Sequence, residues 1–140
     1  MKVLIVGAGV IGTVYGAHLA AAGNTVWVLS HGVRTDEVAT GGLSARDVLS
    51  GEHARAETAV VPDGGGDYDV VLVAVRRDQL ASACAGLTGL AGKPALVFFG
   101  NNPAGRSAIT GEMPGAVHWP DPARPAGQHR SQPALQRAGR

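Results

Sequence analysis

The sequence predicts an α/β fold: a doubly wound, mostly parallel sheet with helices against it, followed by a disordered C-terminal tail. Three observations predict it. Short apolar runs recur at Val3–Val6, Thr25–Leu29, Asp69–Val75 and Pro94–Phe99. The first and third are unbroken and rich in β-branched residues, which suits central strands buried on both faces. Helical stretches alternate with these runs, as parallel strands require. Beyond Pro114 no helical or strand period survives.

The first strand, Val3–Val6, leads straight into Gly7-Ala8-Gly9-Val10-Ile11-Gly12. Gly7 permits the tight turn out of the strand. Gly9, without a Cβ, allows backbone to approach a pyrophosphate, and Gly12 lets the following helix pack near the strand. The free N–H groups near Val10 and Ile11 then face the phosphates, with the helix dipole favouring their charge. This is the pattern of a Rossmann-type dinucleotide site. In a chain with 21 glycines, the bland alternative is the same turn binding nothing. The helix runs from Val10 to Ala22 and ends at Gly23-Asn24. Gly16 and Ala20 continue from Gly12 at i+4 spacing and keep one stripe of it small.

The second strand, Thr25–Leu29, ends where an adenosine ribose would lie. A carboxylate there would bind the 2′-hydroxyl of NAD. Ser30-His31-Gly32-Val33-Arg34 stands there instead. A hydroxyl, an imidazole and a guanidinium suit a 2′-phosphate, so NADP(H) is favoured over NAD(H). Asp36 and Glu37 come slightly late, and only an unusual loop would bring them back. The alternative for Arg34 is a solvated residue at a helix start.

Thr35–Thr40 predicts one or two helical turns, broken by Gly41-Gly42. Leu43–Leu49 and Ala54–Val61 read as two short strands around Ser50-Gly51-Glu52-His53. His53 has no second His or Cys beside it and is expected to be solvated rather than a metal ligand. Pro62–Asp67 reads as an exposed loop, Asp69–Val75 as a central strand, and Asp78 to about Leu87 as a helix. Arg76 sits at the carboxyl end of the central strand, where ligands bind in open α/β sheets; the alternative is a surface basic pair with Arg77. After Pro94–Phe99 comes the loop Gly100–Arg106. Its Asn101 can offer donor and acceptor to a nicotinamide ribose or a substrate carbonyl, or be simply a turn residue. The expected strand order is 3-2-1-4-5.

Length and composition set the bounds. With 140 residues, 45% hydrophobic and 16% charged, one globular domain is expected. The net charge of +1 gives no reason to expect nucleic acid. The single Cys84 excludes an internal disulfide framework and fits a reducing compartment. It is expected to be a buried structural thiol on a helix. No apolar run reaches the ~18 residues of a membrane span, and glycines interrupt the apolar N-terminus, so a signal peptide is not expected. The expected setting is the cytoplasm, with no membrane partner.

Three stretches, MKVLIVGAGVIGTVYGAHLAAAG, VLVAVRRDQL and FFGNNPAG, taken together in order and spacing, resemble the N-terminal domain of the ketopantoate reductase (2-dehydropantoate 2-reductase) family. The resemblance covers Met1 to about Gly115. It implies a Rossmann domain followed by a helical domain, NADPH as cofactor, reduction of a small α-keto acid to a 2-hydroxy acid, and a place in pantothenate biosynthesis. Gly7, Gly9 and Gly12 fall on the phosphate-binding glycines. His31 falls where many members carry the Arg that binds the 2′-phosphate, and Arg34 is close enough to substitute. Arg76 falls where many have a Lys near nicotinamide and substrate, and Asn101 on the Asn of an Asn-Gly loop, followed here by Asn102-Pro103. Arg keeps the charge but not the donor pattern of Lys, which leaves the keto acid open. The general-acid Lys and the substrate-gripping carboxylate belong, in the family, to the helical domain.

The expected division is a nucleotide-binding domain over residues 1–113 and a tail over 114–140. The tail holds five of the eight prolines and a charge of +3, against −2 for Met1 to Met113. That composition predicts disorder. It also has the look of out-of-frame translation of a G/C-rich gene, which would make the chain a truncated reductase. Such a chain is expected to bind cofactor and turn over poorly or not at all, and to self-associate through an apolar docking face. The sequence leaves two alternatives open: a stand-alone nucleotide-sensing regulatory module, and an inactive fragment.

Overall fold

The computed structural model describes residues 1–100. Strands β1 (Lys2–Val6), β2 (Thr25–Leu29), β5 (Ala59–Val60), β7 (Val70–Val73) and β9 (Ala95–Phe98) form one five-stranded sheet in the order β5-β2-β1-β7-β9. Every pairing in it is parallel. Counted along the chain within this sheet, the order is the expected 3-2-1-4-5. The chain thus adopts a Rossmann-type α/β fold.

The pleat explains why the central strands read as unbroken apolar runs. Leu4 and Val6 face one side, with Val71, Val73, Leu96 and Phe98 beside them. Val3 and Ile5 face the other, with Val26, Val28 and Leu72. Both faces are covered, so both sets are buried. Helix α3 (Leu80–Ala85) covers the first face through Ala83 and Cys84. Cys84 is buried there, as the sequence predicts. Helices α1 (Val10–Ala21) and α2 (Val33–Gly41) cover the second through Ala17 and Val38.

Helix α1 stops as expected. Gly23 adopts φ +84°, the Gly23 N–H donates to the Ala20 carbonyl (2.9 Å), and the Asn24 side-chain amide donates to the Leu19 carbonyl (2.8 Å). Outside α1 lies an antiparallel hairpin of β3 (Leu43–Arg46) and β4 (His53–Ala56). The fully buried Leu43 reaches down to Gly16 on α1.

Several boundaries differ from expectation. The strand predicted over Leu43–Leu49 ends at Arg46. The Asp47 carboxylate accepts the N–H groups of Leu49 (2.7 Å) and Ser50 (3.0 Å), which turns the chain and leaves Val48 and Leu49 exposed. The strand predicted over Ala54–Val61 is two strands, because β4 pairs with β3 while β5 pairs with β2. The loop predicted over Pro62–Asp67 is partly tied in. Gly64 is buried, its N–H donates to the Gly86 carbonyl (3.0 Å), and β6 (Gly66–Asp67) pairs in parallel with β8 (Leu90–Ala91). The helix predicted from Asp78 begins as a 3-10 turn, Arg77–Gln79, and continues as the short α3. His53 is exposed and shares a hydrogen bond with Ser44 (2.7 Å). Among the described residues no helix is long and apolar enough to cross a membrane, and no group of His, Cys, Asp and Glu could hold a metal ion. The tail predicted over 114–140, and Asn101 with most of its loop, lie outside the described residues.

Candidate functional site

The parallel register brings the carboxyl ends of β1, β2 and β7 side by side. The Gly7 N–H donates to the Leu29 carbonyl (2.8 Å), and the Ala74 N–H donates to the Val6 carbonyl (2.8 Å). Above these ends opens a cavity of about 490 Å³. Gly7 and Gly9 form its floor with Val6 and Ala8. Ser30, His31 and Arg34 line it on the β2 side, and Arg76 on the β7 side. Six of the sequence-predicted residues therefore meet around one cavity. Val10, Ile11 and Gly12 are not on its wall; they form the first turn of α1 beside it.

Two glycines are required by the protein itself. Gly7 adopts φ +95°, and a Cβ there would lie 2.7 Å from Val75 and 2.8 Å from the Ala74 carbonyl oxygen. A Cβ on Gly12 would run into the Gly7 carbonyl, so α1 sits this close to β1 only with glycine at that position. Gly9 is different. Its backbone is extended, with φ −73°, and a Cβ there would meet nothing within 4 Å. Gly9 faces open space at the cavity.

Gly9 is also the N-cap of α1, and it has no capping side chain. The first turn of the helix contains no acidic residue. Among the described residues, neither a capping side chain nor a first-turn carboxylate offsets the positive end of the helix, which lies next to an uncrowded glycine. A dinucleotide pyrophosphate fits this arrangement on both charge and space.

Arg34 lies on the first turn of α2 and reaches back across the floor. Its Nε donates to the Ala8 carbonyl (3.0 Å), Nη2 donates to Thr13 Oγ1 (3.2 Å), and Nη1 donates to Glu37 Oε2 (2.6 Å). Thr13 Oγ1 in turn donates to the Ala8 carbonyl (3.2 Å). Arg34 is thus about half exposed at the start of α2 and tied to three neighbours. Asp36 and Glu37 sit on α2, and the unusual loop that would have presented them to a ribose is absent from the described residues. Ser30 is buried, and its hydroxyl donates to Thr35 Oγ1 (3.3 Å).

Arg76 is exposed and pairs with Asp78 through Nη2 (3.3 Å). Its backbone N–H donates to the Gln79 side-chain oxygen (3.3 Å), which seats the 3-10 turn at the end of β7. Asp78, Gln79 and Ser82 also line the cavity, and sequence reasoning did not single them out as site residues. The signal that places them is the end of β7 at Val73 followed, after three residues, by a tight helical turn. Among the described residues, Asp47 and Tyr68 have shifted titration, and both lie away from the cavity wall. The Ser50 and Leu49 N–H groups hold the Asp47 carboxyl below its usual range. Burial raises the Tyr68 phenol, with Asp63 adding to the effect.

The model of the family described as ketopantoate reductase PanE/ApbA matches residues 3–117. The chain belongs to the ketopantoate reductase family. Among solved structures it is similar to the PanE/ApbA family ketopantoate reductase of Ralstonia eutropha JMP134, with 25% identity and a TM-score of 0.73 over 84% of this chain and 40% of that one. The 2-dehydropantoate 2-reductase of Methylococcus capsulatus gives 23% identity and a TM-score of 0.67 over 81% of this chain and 38% of that one. A D-mandelate dehydrogenase solved with NADH and anilino(oxo)acetate gives 22% identity and a TM-score of 0.67 over 80% of this chain and 37% of that one. The last two carry the likeness of fold alone. The chain spans about two fifths of the length of each. No curated protein sequence matches it significantly.

Proposed function

We propose that residues 1–113 are the nucleotide-binding domain of a ketopantoate-reductase-like oxidoreductase that uses NADP(H) to reduce an α-keto acid to a 2-hydroxy acid. The observation that carries this reading is the cavity over the ends of β1, β2 and β7, with the uncrowded Gly9 at its floor and cations on both sides. The N–H groups of Val10, Ile11 and Gly12 suit the pyrophosphate, backed by Gly7 and Gly9. Ser30, His31 and Arg34 suit the 2′-phosphate, and this favours NADP(H). NADH in the D-mandelate dehydrogenase of the same fold supports a nicotinamide dinucleotide in general.

When bound, the nicotinamide supplies the hydride. Arg76, and by resemblance Asn101, would then lie toward the nicotinamide end, where a cation can hold a keto-acid carboxylate. Reduction also needs a surface that holds the keto carbon against the nicotinamide and an acid for the nascent alkoxide. The reduction is therefore proposed for a protein that carries this domain with such a surface. For residues 1–113 the proposal is nucleotide binding, in the cytoplasm.

Isothermal titration of the 140-residue chain with NADPH, NADH and ATP tests this reading. NADPH binding most tightly is the expected result. A preference for NADH would move the assignment to NAD(H). A preference for ATP would favour a nucleotide-sensing module, and no binding at all would overturn nucleotide recognition.

A further inference from the structure

The Arg34 guanidinium is already engaged on three of its nitrogens. Nε and Nη2 tie it to the glycine turn through Ala8 and Thr13, and these contacts aim it at the cavity. The Nη1 bond to Glu37 does something else. It sets a carboxylate against the same guanidinium, one helical turn along α2 and outside the cavity wall. Both side chains are about half exposed, at 49% and 52%. An arriving 2′-phosphate needs the donors and the charge of Arg34. It must either take Nη1 from Glu37 or sit near that carboxylate's negative charge. A nucleotide with a free 2′-hydroxyl carries no such charge and meets no such penalty.

We propose that Glu37 is a positioning residue that limits 2′-phosphate recognition by holding Arg34 in an internal ion pair, and so narrows the discrimination between NADP(H) and NAD(H). This rests on the nucleotide site proposed above. It predicts an asymmetric effect. Replacing Glu37 by a neutral isostere frees one guanidinium edge and removes one like charge, while the contacts of Arg34 to Ala8 and Thr13 remain. The contact is half exposed, so the change is modest. It amounts to about three- to tenfold in affinity for the 2′-phosphorylated ligand and less than about twofold for the ligand without it.

The test uses adenosine 2′,5′-bisphosphate and adenosine 5′-monophosphate as probes, titrated calorimetrically into the 140-residue chain, Glu37→Gln, Arg34→Gln and the double variant. The expected result is tighter binding of the bisphosphate by Glu37→Gln, unchanged binding of the monophosphate, and no effect of Glu37→Gln once Arg34 is Gln. Equal gains for both probes, no gain for either, or a gain that persists without Arg34 would overturn the inference while leaving the nucleotide site standing. Failure of the unaltered chain to bind either probe would overturn both. Melting temperatures of the variants confirm that they are folded, and Glu37→Ala gives an independent second reading with the same expected direction.

Discussion

Gly9 and Gly12 lie three positions apart in one motif, yet their glycines answer to different constraints. At Gly12 the constraint is internal: a methyl group would strike the Gly7 carbonyl, which is backbone at the turn and cannot swing aside. At Gly9 the protein leaves the space open. Gly12→Ala should therefore cost about 2 kcal/mol or more of stability through forced separation of α1 from β1, seen as a lower melting temperature. Gly9→Ala should leave the melting temperature within a few degrees of the unaltered chain, because its backbone is in an ordinary extended conformation. Its effect should appear in calorimetric titration, where NADPH binding weakens on the order of tenfold as the added methyl meets the pyrophosphate. Equal loss of affinity and stability at both positions would contradict this division.

Helix α1 is held from two sides, by the sheet and by the β3–β4 hairpin, and Leu43 is the side chain that joins the hairpin to it. Leu43 is fully buried, so Leu43→Ala should cost about 3 kcal/mol. Urea unfolding should show a lower midpoint with an unchanged slope, and nucleotide affinity should stay as it was, since Leu43 does not line the cavity. The main elements were legible in the sequence because their signals are strong. Leu4, Ile5, Val71 and Val73 can only be buried on both faces, and the Gly7–Gly12 turn dictates a helix directly after the first strand. The hairpin was less legible because Ser44, Arg46, His53 and Arg55 give no clean alternation, and Asp47 ends its first strand by local hydrogen bonding. The two-residue β5 was fused with β4 because pairing partners, not composition, separate them. The sequence named Ser30, His31, Arg34 and Arg76, and the parallel register brings them around one cavity. The pairing of Arg34 with Glu37 is an ordinary i,i+3 contact on α2, but the bonds of Arg34 to Ala8 and Thr13 span 26 and 21 positions and depend on how α2 crosses the turn. No local pattern announces them.

For the molecule as a whole, the outer surface of α1 stands out. Val10, Ile11, Val14 and Tyr15 are all exposed, Val10 by 80%, and the Tyr15 ring lies 4.6 Å from that of Phe99. The structurally similar reductases are some two and a half times longer than the stretch matched here. An apolar surface of this kind favours contact with a second copy, so the 140-residue chain should self-associate weakly. Sedimentation velocity should show an average mass that rises with concentration, and Val14→Lys should suppress the rise without lowering the melting temperature. The Arg34 bridge has a kinetic meaning as well. It fastens the glycine turn to α2 and α1 before any nucleotide arrives. On the proposed nucleotide site, a turn already fastened in this way needs little ordering on binding, so differences in affinity among ligands should fall mostly on residence time.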